Sequence, residues 1–135
     1  MSMKKLLCVD DEETIRMLFK RVFEKEGFNV LMADSANTAV GILEKDNVQI
    51  IFTDLNMPGT NGLELGRKIR ADRPMALIYA MTGYSSLFQL ADCREAGFDD
   101  YFIKPISLEL LRRTVHDSFT KLERWKKGDA DNAAA

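Results

Sequence analysis

Five short apolar runs, each followed by a stretch of helical periodicity, constrain this 135-residue chain more than any other feature. Leu6-Leu7-Cys8-Val9 is the first run, continuous as expected of a strand covered on both faces. Ile15, Leu18, Phe19, Val22 and Phe23 then form one helical stripe, which Gly27 closes. A second strand is predicted from Phe28 to Met32, with Ser35 as N-cap of a helix carrying Ala36, Ala39, Val40 and Leu43. Ile50 to Thr53 is the third strand and ends at Asp54. A turn follows over residues 56–62, then a helix over 63–72. The fourth strand runs from Ala76 to Met81 and ends at Thr82-Gly83, before a helix over 86–96 that Gly97 terminates. Tyr101-Phe102-Ile103 is the fifth strand, followed by Lys104-Pro105. The last helix begins near Ser107 with the stripe Leu108, Leu111, Val115, Phe119 and Leu122.

Repeated strand–helix units demand a parallel sheet with right-handed crossovers and helices on both faces. Five units in this length predict an α/β, doubly wound, five-stranded flavodoxin-like sheet of order 2-1-3-4-5. One domain over residues 1–127 is expected, with a small polar tail over 128–135 lacking fixed structure. Trp125 extends the last stripe, which suits either packing on the domain or a helix leading onward.

In that strand order, ligands bind outside the carboxyl ends of the strands, where strands one and three are neighbours. Strand one delivers Asp10 and Asp11 to that rim, strand three Asp54, strand four Thr82 and strand five Lys104. Crowded carboxylates raise each other's pKa, and a divalent cation relieves the repulsion. An all-oxygen set selects Mg²⁺ or Mn²⁺. Lys104 can pair with a phosphate oxygen and Thr82 can donate to another. Such a site suits phosphoryl transfer, where positioning and charge neutralisation do most of the work. Each piece alone has a plainer reading: an Asp-Asp pair after a strand is often a helix cap, and Met57-Pro58-Gly59 often a turn. Their conjunction on one rim argues for function.

Composition closes off other classes. Nineteen basic and 21 acidic residues leave a net charge of −2, without the basic excess of a nucleic-acid binder. Arg124, Lys126 and Lys127 read as a solvated helix end. Cys8, Cys93 and the single His116 lack zinc-ligand spacing. No signal peptide or membrane-length apolar run is visible, so a cytoplasmic protein without membrane contact is expected. A dehalogenase-like phosphatase needs a second acid two residues past its nucleophile, where this chain has Asn56. A flavodoxin cradles phosphate in its first loop, which here reads Asp-Asp-Glu-Glu.

The stretches Val9-Asp10-Asp11, residues 54–62, Thr82-Gly83 and Tyr101 to Pro105 resemble the response-regulator receiver (CheY-like) family of two-component signalling, over residues 4–122. The resemblance implies that Asp54 is the phosphoacceptor. It implies that Asp11, Asp54 and the Asn56 carbonyl ligate Mg²⁺ directly, with Asp10 acting through a bound water. Thr82 and Lys104 would hold phosphoryl oxygens, Tyr101 would change rotamer with Thr82 as the switch, and the Lys104–Pro105 bond would be cis. It further implies a sensor histidine kinase as donor, no enzymatic activity beyond self-catalysed phosphorylation and dephosphorylation, and output by binding a partner at the surface of the fourth helix, fifth strand and fifth helix. Two alternatives stay open: a relay receiver feeding a histidine phosphotransfer protein, and the receiver part of a longer regulator. Asn56 and Tyr84 lie two residues beyond Asp54 and Thr82, where they would tune the lifetime of the phosphorylated state.

Overall fold

The structure, a computed structural model, describes residues 4–83 and 87–134. They form β1 (Lys5–Val9), α1 (Glu13–Glu24), β2 (Asn29–Ala33), α2 (Ala36–Lys45), β3 (Ile50–Asp54), β4 (Asn56–Met57), β5 (Thr60–Asn61), α3 (Gly62–Asp72), β6 (Leu77–Thr82), α4 (Leu87–Ala96), β7 (Asp100–Ile103) and α5 (Leu108–Ala134). The five long strands make one parallel sheet of order β2-β1-β3-β6-β7. Counting those strands alone, this is the predicted 2-1-3-4-5 flavodoxin-like order. The chain divides into two compact units, one ending at Pro105 and one starting at Ile106.

Both faces of the sheet in the first unit are covered. Leu7, Val9, Ile51, Ile78 and Ala80 point into a core shared with α2, α3 and α4, through Leu43, Leu65, Ile69, Cys93 and Phe98. The opposite face is aromatic. Phe52 lies 5.1 Å from Phe19 of α1, 4.9 Å from Tyr79 and 5.7 Å from Phe102, ring centre to ring centre. β3 and β6 are buried at every residue, which is why their sequences read as unbroken apolar runs.

Helix ends follow local chemistry. α1 and α4 stop alike: Gly27 and Gly97 take φ of +89° and +100°. The next residues, Phe28 and Phe98, return their N–H groups to the carbonyls of Phe23 and Cys93. These are Schellman closures, which need a residue free to adopt positive φ. They move Phe28 out of the second strand, so β2 starts one residue later than predicted. Ser35 caps α2 by accepting from the Thr38 N–H at 3.2 Å.

Two elements differ from expectation. The segment after Asp54 contains a small ribbon, β4 paired antiparallel with β5, turned by Pro58 and Gly59 with φ of +66° at the glycine. In the second unit, α5 is 27 residues long and continues through residues 128–134, where a polar tail without structure was expected. Three of the last six residues of α5 are alanine, the best helix former, which favours continuation of the helix past Gly128. Ser107 caps this helix through the Leu110 N–H at 3.3 Å, and Leu111, Val115 and Ser118 are buried along one side.

Candidate functional site

The carboxyl ends of β1, β3, β6 and β7 meet at one rim of the first unit. β1 pairs with β3 in register Val9 to Thr53, so the residues that follow, Asp10 and Asp54, stand side by side. Asp10, Asp11 and Asp54 each present a carboxylate oxygen, and these oxygens lie within 4.8 Å of one another. Asp10 is fully buried, Asp54 is 4% exposed and Asp11 is exposed.

Lys104 reaches into this cluster from the end of β7. Its Nζ lies 2.8 Å from Asp10 Oδ2, 3.5 Å from Asp54 Oδ2 and 3.8 Å from Glu12 Oε2. The Lys104 N–H donates to the Thr82 carbonyl at 2.7 Å, fixing the root of the side chain, and the Lys104–Pro105 bond is cis. Asp10 is held from two sides. Its Oδ1 accepts the Glu12 N–H at 2.9 Å, and its carbonyl accepts from the Arg16 guanidinium at 2.8 Å.

On the other flank, Asp54 Oδ1 accepts the Asn56 N–H at 3.1 Å. The Asn56 amide donates to Thr82 Oγ at 3.1 Å, so the buried threonine hydroxyl is tied to the residue two past Asp54. Asn61 caps α3 by accepting from the Leu63 N–H at 2.9 Å, which leads the chain back over the strand end. There Gly62 comes so close that an added Cβ would sit 2.2 Å from the Asp54 carbonyl oxygen. Only glycine permits that approach.

Burial pushes the Asp54 carboxyl above its ordinary pKa; the Asn56 N–H and Lys104 pull the other way, and Asp10 adds to the rise. Burial by itself would lower the Lys104 pKa, but the hydrogen bond and charge of Asp10, with Asp54 and Glu12, raise it above the usual lysine value. Lys104 therefore stays charged. Four carboxylates against one such ammonium leave the rim electronegative, and a hard cation with oxygen ligands fits it. Asp10, Asp11 and Asp54 are the residues placed to hold one.

The structure thus brings together Asp10, Asp11, Asp54, Asn56, Thr82 and Lys104. Tyr101 is set apart, on β7 opposite Ala80 and 39% exposed. Tyr84 lies outside the described residues. Glu12 and Arg16 were not singled out from sequence, although Glu12 directly follows the Asp pair. Cys8 is buried beside the cluster, and burial raises its thiol pKa far beyond any reactive range.

The profile of the response regulator receiver domain matches residues 6–116. The chain is 31% identical over 121 residues to the chemotaxis protein CheY of Pseudomonas aeruginosa, covering 87% of this chain and 98% of that one. It is 36% identical over 110 residues to a cyclic di-GMP phosphodiesterase of Thermotoga maritima, but covers 82% of this chain and only 29% of that protein. The crystal structure of a CheY-like response regulator receiver domain protein from Methanospirillum hungatei superposes with a TM-score of 0.86 at 29% identity, covering 91% of this chain and 98% of that one. Among the described residues, no helix is long and apolar enough to cross a membrane.

Proposed function

The chain belongs to the response regulator receiver family, and from that premise we propose that Asp54 accepts a phosphoryl group from a phosphohistidine of a sensor kinase in the cytoplasm. The observation that carries this reading is the convergence of Asp54, Asp10 and Lys104 at the joined ends of β3, β1 and β7. In the transfer, an Asp54 carboxylate oxygen bonds to phosphorus as the phosphorus–nitrogen bond of the donor breaks, and the imidazole leaves with the bonding pair. Asp10, Asp11, Asp54 and the Asn56 carbonyl are proposed to hold Mg²⁺, with Mn²⁺ as a substitute. When bound, the ion neutralises charge on the transferring phosphoryl oxygens. Lys104 supplies a second positive charge, within 3.5 Å of the attacked carboxylate. Thr82 holds a further oxygen, which requires its hydroxyl to leave the Asn56 amide that it now accepts from.

The output is proposed to be a change of binding surface rather than catalysis. Tyr101 borders a groove of about 560 Å³ between α4 and β7, lined also by Leu90, Cys93 and Phe98. Movement of Thr82 at the end of β6 would alter the space available to the Tyr101 ring on the adjoining strand, and a partner protein or a histidine phosphotransfer protein would read the difference.

Acetyl phosphate with Mg²⁺ tests the reading. The protein should gain the mass of one phosphoryl group, and neither Asp54→Asn nor the chelated wild type should. Labelling of Asp54→Asn at the wild-type rate would refute the assignment.

A further inference from the structure

One stripe of α3 touches both the proposed phosphoacceptor and the α4–β7 connection, and it does so without slack. Gly62, Gly66 and Arg70 are spaced four apart, so they share a face over about 12 Å of helix. At the near end, a Cβ on Gly62 would lie 2.2 Å from the Asp54 carbonyl oxygen and 2.8 Å from Leu55 Cα. In the middle, a Cβ on Gly66 would lie 2.3 Å from the Phe98 ring. At the far end the stem of Arg70 packs on Gly97, where a Cβ would meet the arginine Cγ at 2.8 Å.

The Arg70 guanidinium then ties three segments. It donates to the Gly97 carbonyl at 2.9 Å, to Asp99 Oδ2 at 2.7 Å, and to the Pro74 and Ala76 carbonyls at 2.8 and 2.7 Å. Asp99 Oδ2 also accepts the Ile78 N–H at 2.7 Å, and the Asp99 N–H donates to the Ile78 carbonyl at 2.7 Å. The end of α3, the α4–β7 connection and the start of β6 are thereby clamped at one guanidinium. Asp100 and Tyr101, which border the groove, follow directly in the chain.

We propose that α3 is a strut, with Arg70 as its positioning residue, that carries a change at Asp54 to Gly97–Tyr101 independently of Thr82. The physical reason is that the two glycines of the stripe interpose no side chain at their contacts. Two glycines put helix backbone directly on backbone and on a ring, and a close-packed contact transmits displacement instead of absorbing it. The charged, multiply bonded Arg70 makes the far end equally stiff. The proposal rests on Asp54 being the phosphoacceptor. The test measures coupling between the two ends of the strut directly.

Amide chemical shifts are recorded with and without Mg²⁺ and beryllofluoride, for wild type and Arg70→Met. In wild type, shifts are expected at residues 54–56 and at 97–101. In Arg70→Met those at 54–56 should persist, because the site is untouched, while those at 97–101 should fall at least threefold. Shifts of full size at 97–101 in the variant would overturn the strut. Gly66→Ala, which sets a methyl group against Phe98, gives a reading without ligand and guards against an unfolded Arg70→Met. Its own shifts should extend to residues 54–56, and shifts confined to neighbours of residues 66 and 98 would overturn the strut. Absence of any wild-type response to beryllofluoride would instead refute the phosphoacceptor reading, and the Gly66→Ala result would still decide the strut.

Discussion

Asp54 is asked to be buried and ionised at once, and the cost of that shows in how stability should vary with pH. Its folded-state pKa lies above the ordinary 3.8 because burial penalises the carboxylate. Between those two values the folded chain binds more protons than the unfolded chain, so stability falls as pH rises through that window. Asp54→Asn removes the penalty. In metal-free buffer its melting temperature should exceed that of wild type by a few degrees at pH 7, with the gap shrinking as pH falls toward 4. A gap that is constant over this range would show that the charge is not the cause. Lys104 acts in the same direction in a more alkaline window: its raised pKa means its ion pairs stabilise fully below the unfolded lysine value of about 10.5 and are lost as pH climbs through the higher folded value. Tyr84 and Asn56 are proposed to bear on the reverse reaction. If the Tyr84 ring covers the water path to phosphorus, Tyr84→Ala should speed loss of phosphate by about five- to thirty-fold, equivalent to about 1–2 kcal/mol, in a direct decay measurement. Equal decay rates would remove Tyr84 from the site. The acids, Thr82 and Lys104 were legible in sequence because each follows an apolar run whose end is unambiguous. The Asn56–Thr82 tie and the Arg70 clamp were not. They join residues 26 to 29 apart through particular side-chain rotamers, on which periodicity is silent.

At the level of elements, β3 organises both the core and the site. Phe52 on its aromatic face contacts rings from α1, β6 and β7, while the last residue of the strand is Asp54. Phe52→Ala should therefore cost about 3–5 kcal/mol in denaturant unfolding, the range for emptying a fully buried aromatic position. Met75→Ala, at a residue 52% exposed before β6, should change stability by less than about 0.5 kcal/mol. A loss at Phe52 below about 1 kcal/mol would mean that this core is not packed as described. The sheet was readable because its central strands are covered on both faces and so are apolar throughout. Edges of elements were less so: the Schellman closure after α1 takes Phe28 from the strand into the helix end, although Phe28 itself has good strand propensity. The β4–β5 ribbon escaped detection because two-residue strands carry no periodicity. The length of α5 escaped because alanine and aspartate after Gly128 read as a tail by composition, yet alanine is the best helix former.

For the molecule as a whole, the formal charge of −2 conceals a local concentration of negative charge. Asp10, Asp11, Asp54 and Glu12 meet at one rim, where Lys104 pairs with Asp10, Asp54 and Glu12, and folding must bring them there. An ion that binds only the assembled rim stabilises the folded state by mass action, by about 2.7 kcal/mol when it is present at 100 times its dissociation constant. For a chain of this length that corresponds to a melting-temperature rise on the order of 10 °C. Added Mg²⁺ should produce such a rise, growing with the logarithm of its concentration and reversed by chelation. Sodium chloride at equal ionic strength should not reproduce it, because screening weakens all charge pairs alike while coordination acts at one place. Asp11→Ala is the informative variant. Asp11 is exposed, so its removal empties no core and strands no buried partner, unlike the loss of Asp10. The variant should melt near wild type without metal and lose most of the Mg²⁺ response. A full response in Asp11→Ala would place the ion elsewhere, and the three-carboxylate site would have to be abandoned even if phosphorylation of Asp54 were upheld.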